Sequence, residues 1–164
     1  MTRIVRLSGI CLVLLILGCA TGISRQGRSQ VTYQGSFAEL QTASDEYKGE
    51  TVMLGGRVLK TEAHESSSEI VVLQLPLDSS NRPKDGDDSE GRFLIRSEQF
   101  LDPAIYQQWR LLTVVGKLSG KEVRSIGGFE YVYPVLEAIE LKPWPWGRKT
   151  SPSFHFGIGV GTWF

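Results

Sequence analysis

Between Glu50 and Leu141 the apolar residues of this chain come in short, β-branched runs separated by turn formers, a pattern that points to strands rather than long helices. The first run, ETVMLGGRVLK over Glu50–Lys60, alternates Val52 and Leu54, and Val58 resumes the same parity after Gly55 and Gly56. A glycine pair inside a strand weakens it locally and marks a bulge or a sharp bend. Such a strand can curl and serve both sides of a small barrel. EIVVLQLPL over Glu69–Leu77 reads as a second strand, with Pro76 placing its end at an edge. RFLIR over Arg92–Arg96 is a short third strand and RLLTVVGKL over Arg110–Leu118 a fourth. Ser119-Gly120-Lys121 reads as a turn, with Glu122–Ile126 as a hairpin arm beyond it. Gly127-Gly128 turns the chain into a fifth strand, Phe129–Leu141, interrupted by Pro134.

Two helical pieces accompany the strands. Ser36 is placed to cap a short helix whose Phe37, Leu40 and Tyr47 fall near one face. Asp102 and Pro103 open a second helical turn running from Ala104 to Gln108. This order predicts an all-β fold: a small OB-like β-barrel with a short helix between strands three and four, plus a short N-terminal helix. Residues 78–91, DSSNRPKDGDDSEG, offer hardly anything to a core and read as a solvated loop. Their acidic run Asp85, Asp87, Asp88, Glu90 lacks the terminal Glu and flanking helices of an EF-hand, so no calcium site is expected.

The N-terminus has a different character. Arg3 and Arg6 precede an almost unbroken apolar run, Leu7–Leu17, followed by Gly18 and Cys19. A basic start, a short apolar stretch and small residues at the end describe a secretory signal peptide. The run is about half of the ~20 residues that a membrane-spanning helix needs. A cysteine directly after the small residue resembles the lipobox of bacterial lipoproteins, with Ile16 and Leu17 as conservative departures from its usual residues. The resemblance implies cleavage before Cys19, which then carries lipid on its thiol and amine. It also implies three acyl chains and palmitate labelling. Ala20 follows the cysteine where an Asp would signal inner-membrane retention. The expected location is therefore the outer membrane, lipid-anchored and facing the periplasm, with exposure at the cell surface as the alternative.

The expected organisation is a signal peptide at 1–18, a lipidated N-terminus and flexible Gly/Ser-rich tether at 19–35, the barrel at 36–143 and an aromatic tail at 144–164. Val31 and Tyr33 are the tether residues suited to pack on the barrel. Of the two cysteines, Cys11 leaves with the signal and Cys19 is lipidated, so packing alone must hold the mature fold. The same arithmetic excludes a cysteine nucleophile and a Cys-based zinc site. Without residues 1–18 the chain carries 16 basic and 18 acidic side chains, a net charge of −2. Nucleic-acid binding rests on neutralising phosphates, so no nucleic-acid partner is expected.

The sequence offers no catalytic constellation. Triad, G-x-S-x-G, zinc and phosphate-loop patterns are all missing. His64 stands between Glu62 and Glu65, but one histidine gives little geometry for a transition metal. His155 lies among aromatic residues and suits packing. Catalytic, cofactor and metal residues are therefore expected to be none. Aromatic side chains are plentiful: Tyr47, Trp109, Tyr131, Tyr133, Trp144 and Trp146. They either fill the core and barrel ends or present a face for a ligand. Residues 154–164, FHFGIGVGTWF, alternate strictly in polarity and can form a strand. It docks on its own domain, or Trp144, Trp146, Trp163 and Phe164 form an aromatic foot at the membrane interface or a ligand.

The signal up to Cys19, GETVMLGGRVL, FLDPAIYQQWRLLTVVGKLSG over Phe100–Gly120 and IGGFEYVYPVLEAIEL together resemble the Slp family of outer-membrane lipoproteins of Gram-negative bacteria. In the family pattern the position of Trp109 is often Gly, which makes a tight turn there less expected in this chain. The resemblance implies a non-enzymatic envelope protein linked to starvation or stress, with no catalytic residues to carry over. The alternative is a periplasmic ligand-binding module using an aromatic face for a glycan, peptide or lipid. The expected partners are the membrane, through the anchor, and an envelope protein or glycan; the sequence does not specify an oligomeric state.

Overall fold

The computed structural model describes residues 22–146. Five strands form a closed barrel: β1 (Thr51–Ala63), β2 (Ser68–Leu75), β3 (Arg92–Ser97), β4 (Leu111–Ile126) and β5 (Phe129–Pro143). Their order around the barrel is β1-β2-β3-β5-β4. All pairings are antiparallel except β3 with β5. This is the OB-like arrangement expected from the strand order.

The glycine pair of β1 makes closure feasible. Gly55, Gly56 and Arg57 pair with β2 on one side and with β4 on the other. A methyl group added at Gly56 would collide with the Leu73 carbonyl and the Val72 side chain. One at Gly55 would strike Leu77. Beyond the pair, a bulge between Val58 and Lys60 adds further bend.

Alternation then sorts the side chains. Ile70 and Val72 of β2, Phe93 and Ile95 of β3, Leu112 and Val114 of β4 and Leu136 of β5 fill the interior. Each such burial contributes roughly 1.5–3 kcal/mol. A short helix, α2 (Phe37–Thr42), adds Phe37 and Leu40 to this core; Phe37 meets Phe93 at a ring distance of 6.0 Å. Ser36 caps it by accepting a hydrogen bond from the Glu39 amide at 3.2 Å. The helix stops at Thr42, so Tyr47 sits in the following turn, edge-on to Tyr33 at 5.0 Å.

The structure corrects several expectations. The helix expected between strands three and four is a single turn. The amides of Ile105 and Tyr106 both donate to the Asp102 carbonyl, and the Asp102 side chain accepts from the Ala104 amide at 2.8 Å. It cannot propagate because Trp109 turns left-handed at φ 72° and its amide donates to Val58 of β1 at 2.7 Å. Ser119-Gly120-Lys121 is a bulge inside one long strand, with Gly120 at φ 131°. β5 likewise runs straight through Pro134. The proline stands just before the parallel ladder with β3 begins at Val135, so its missing N–H costs no bond on that side.

Another concerns the stretch expected to be a flexible tether, which is docked from Ile23 onward. Ile23 is buried, and Ser24 caps helix α1 (Arg25–Ser29) by accepting from the Gly27 amide at 2.9 Å. The Ser24 amide and hydroxyl each donate to the Glu140 carboxylate of β5 at 2.7 Å. Thr32 and Tyr33 donate their amides to the Thr51 carbonyl. The 78–91 loop is also less solvated than its composition suggests. Pro83 is buried and bridges Leu77, and Asp78 accepts from the amides of Ser80 and Arg82.

Candidate functional site

The distal halves of β4 and β5 form a hairpin arm, closed by Gly127 and Gly128 at φ 58° and 91°. Outward-facing Val71 and Leu94 gather with Ile126, Tyr131, Tyr133 and Val135 into a second small core. Leu94 is completely buried there, and Tyr131 and Tyr133 pack edge-on at 5.0 Å. The Tyr131 hydroxyl accepts from the Arg92 amide at 2.9 Å. A ring of ion pairs borders this core: Arg124 meets Glu69 and Glu122, each at 2.7 Å, and Arg96 meets Glu69 at 3.1 Å and also Glu122. The hydrogen bond from Arg124 holds the Glu122 carboxyl below its usual range, against the opposing effect of burial. In OB barrels the strand 2–3 face is the usual ligand platform. Here the chain's own aromatic side chains pack over that face.

Trp144 is a core residue, a correction to its expected surface role. It packs with Leu75 and Leu111 in a separate buried cluster. Its Nε1 donates to Thr113 Oγ1 at 2.9 Å, and that hydroxyl donates to the Asn81 carbonyl at 2.7 Å. The guanidinium of Arg82 lies 5.4 Å from the centre of its ring, a cation–π contact. Trp146, two residues on, is 55 % exposed.

Trp109 and Trp146 line one cavity of about 240 Å³, together with Arg82, Lys84, Asp78 and Pro145. Trp109 is 53 % exposed although its backbone is left-handed. A bulky residue with φ above zero is an outlier that the surrounding structure must enforce. Neither the strain at Trp109 nor the contribution of Arg82 and Lys84 is visible in the local sequence. A larger groove of about 580 Å³ opens where β3 and β5 part, lined by Leu101, Tyr106, Ile139 and Leu141. Tyr106 is its one aromatic residue.

Tyr47 is half-buried, and its hydroxyl donates to Glu39 at 2.6 Å. That hydrogen bond is the main reason its ionisation is pushed up to about 12. His64 is exposed at the β1–β2 turn, and among the described residues no group of three His, Cys, Asp or Glu is placed to hold a metal ion. Cys19, Trp163, Phe164 and the alternating 154–164 stretch lie outside the described residues.

Comparison with known proteins matches the sequence to a family. The family model described as outer membrane lipoprotein Slp family matches residues 16–160. The uncharacterized lipoprotein YeaY of Escherichia coli is 30% identical over 131 residues, covering 80% of this chain and 67% of that protein. The outer membrane protein Slp of Escherichia coli is 26% identical over 138 residues, or 82% of this chain and 73% of that protein. An uncharacterized protein of Haemophilus influenzae is 36% identical over 95 residues, 57% of this chain and 51% of that protein. The chain belongs to the Slp family of outer membrane lipoproteins.

Proposed function

We propose that the chain is held on the periplasmic side of the outer membrane by lipid on Cys19 and serves there as a non-catalytic envelope component. The observation that carries this reading is the reach of the family match. It begins at residue 16, inside the apolar run, and so takes in Cys19. Each buried methylene contributes about 0.8 kcal/mol, and one myristoyl chain alone binds only marginally. Three chains on one cysteine make attachment effectively permanent. The use made of the charged residues also favours a structural role: Glu69, Arg96, Glu122 and Arg124 are engaged with one another in fastening the arm to the barrel. A link to starvation or stress belongs to the same proposal; a deletion strain is expected to lose viability faster in prolonged stationary phase.

Cys19→Ala tests the anchor. The variant is expected to lose palmitate labelling and to leave the outer-membrane fraction. Retention of both would refute the assignment.

A second reading, a periplasmic ligand-binding module, keeps one observation in its favour, the cavity between Trp109 and Trp146. Tyr131 and Tyr133 no longer support it, because they pack on Val71 and Leu94. Titration with soluble oligosaccharides, followed by tryptophan fluorescence, separates the two: saturable quenching supports the module and an unchanged spectrum removes it.

A further inference from the structure

We propose that the Trp109–Trp146 end of the barrel seats in the lipid–water interface of the membrane that carries the anchor, fixing the orientation of the domain. The inference rests on the reading of Cys19 as the lipidated residue. Three observations converge on it.

The first is where the chain leaves the barrel. A side chain started at Gly22 would lie 3.3 Å from the backbone oxygen of Ser80. Ser80 belongs to the loop whose Asp78, Arg82, Pro83 and Lys84 line the aromatic cavity. The exit is fixed, because Ile23 is buried and Ser24 is held twice by Glu140. Cys19 stands three positions before Gly22, and a chain of that length spans at most about 10 Å in any conformation. The bilayer surface is therefore within reach of this end of the barrel.

The second is what this end displays. Trp109 and Trp146 are each more than half exposed. An amphipathic indole, unlike the exposed phenyl rings of Phe100 and Phe129 elsewhere on the molecule, is favoured at the headgroup level of a bilayer. The third is the backbone of Trp109, a left-handed position where glycine is unstrained and where this chain instead carries an exposed indole. Strain kept at an exposed side chain is a pointer to function.

The charges of the cavity choose the kind of lipid surface. Cationic Arg82 and Lys84 are offset by Asp78 and Asp85. Arg57 also pairs with Asp85 at 2.7 Å, so the patch is one positive charge from balance. A patch so near balance does not depend on anionic lipid, and the seat fits a zwitterionic interface with little sensitivity to salt.

The opposite end of the molecule provides the control. The β1–β2 turn, with exposed Ser66, lies at the far end of β2 from Leu75, about 25 Å away along an eight-residue strand. Lipidation occupies the thiol of Cys19, so Lys84→Cys and Ser66→Cys each introduce the one free thiol of the mature chain. The full lipidated chain is labelled with nitrobenzoxadiazole and reconstituted into vesicles of phosphatidylcholine and phosphatidylethanolamine. The label at position 84 is expected to brighten several-fold and to be quenched by headgroup-level nitroxide lipids, in low and high salt alike. The label at 66 is expected to report water. Replacing both Trp109 and Trp146 by Ala should abolish the difference. Equal signals from an incorporated chain overturn the seating while leaving the anchor intact. Protection of position 84 by soluble oligosaccharide rather than by vesicles overturns it in favour of a glycan site. A chain that fails to float with vesicles refutes the anchor itself, and the seating with it.

Discussion

The Arg124 guanidinium and the Glu69 carboxylate meet at 2.7 Å although 55 residues separate them in the chain. That contact ties the arm to the outer face of β2. Glu69 keeps only 16 % side-chain exposure, so its charge is largely removed from water. Surface ion pairs are individually worth about 1 kcal/mol or less, and truncating one partner of a part-buried pair costs more. Arg124→Ala is expected to destabilise the protein by about 1–2 kcal/mol and to speed amide exchange in the arm. Chemical denaturation with hydrogen exchange by residue checks both. Leu94→Ala removes the apolar partner beneath the arm and should cost about 2–5 kcal/mol.

Acid should loosen the same ring and, separately, the turn at Asp78. Glu122 is held below its usual range chiefly by the hydrogen bond from Arg124, and Asp78 chiefly by the Ser80 hydroxyl. A depressed folded-state value means that the unfolded chain binds the proton more tightly. The stabilisation is therefore present above the ordinary carboxylate range and is lost as pH falls through that range toward the depressed folded-state values. Glu122 is part-exposed, so solvent screens the effect. Denaturant midpoints at pH 7, 4.5 and 3 should fall in that order, and Glu122→Gln should flatten the decline.

Thr113 joins three elements through one hydroxyl. It accepts from Trp144 Nε1 and donates to the Asn81 carbonyl, linking β4, the chain beyond β5 and the 78–91 loop. Thr113→Val keeps the volume and leaves a buried indole N–H without its partner. The expected cost is about 1–3 kcal/mol, with higher mobility of the loop seen by NMR relaxation.

Glycine 56 and tryptophan 109 should respond in opposite ways. Gly56→Ala forces a methyl onto the Leu73 carbonyl and is expected to destabilise by at least about 1–3 kcal/mol. Trp109→Gly relieves a left-handed backbone that costs on the order of 1–3 kcal/mol, and should leave stability unchanged or raised. Thermal melts of the two variants check the contrast.

The five strands, the β1 glycine pair and the Gly127-Gly128 turn were legible because each rests on local alternation or local turn chemistry. What escaped was set by contacts distant in sequence. Trp144 reads as the start of an aromatic tail until Leu75, Leu111 and Thr113 close around it. Ser119-Gly120-Lys121 has turn composition, yet pairing with β5 on both sides of Gly120 makes it a bulge. The 22–35 stretch is polar enough for a tether, but Ile23 and the Ser24–Glu140 bonds pin it down. At the candidate membrane end, nothing local marks Trp146 as exposed and Trp144 as buried, and the strain at Trp109 depends on the Val58 carbonyl of the neighbouring strand.

The most direct measurement is the intact mass of the N-terminal peptide of protein purified from the outer membrane. The expected peptide begins at Cys19 and carries a diacylglyceryl group on its thiol and an acyl chain on its amine. A peptide that begins elsewhere, or a Cys19 without lipid, would contradict it.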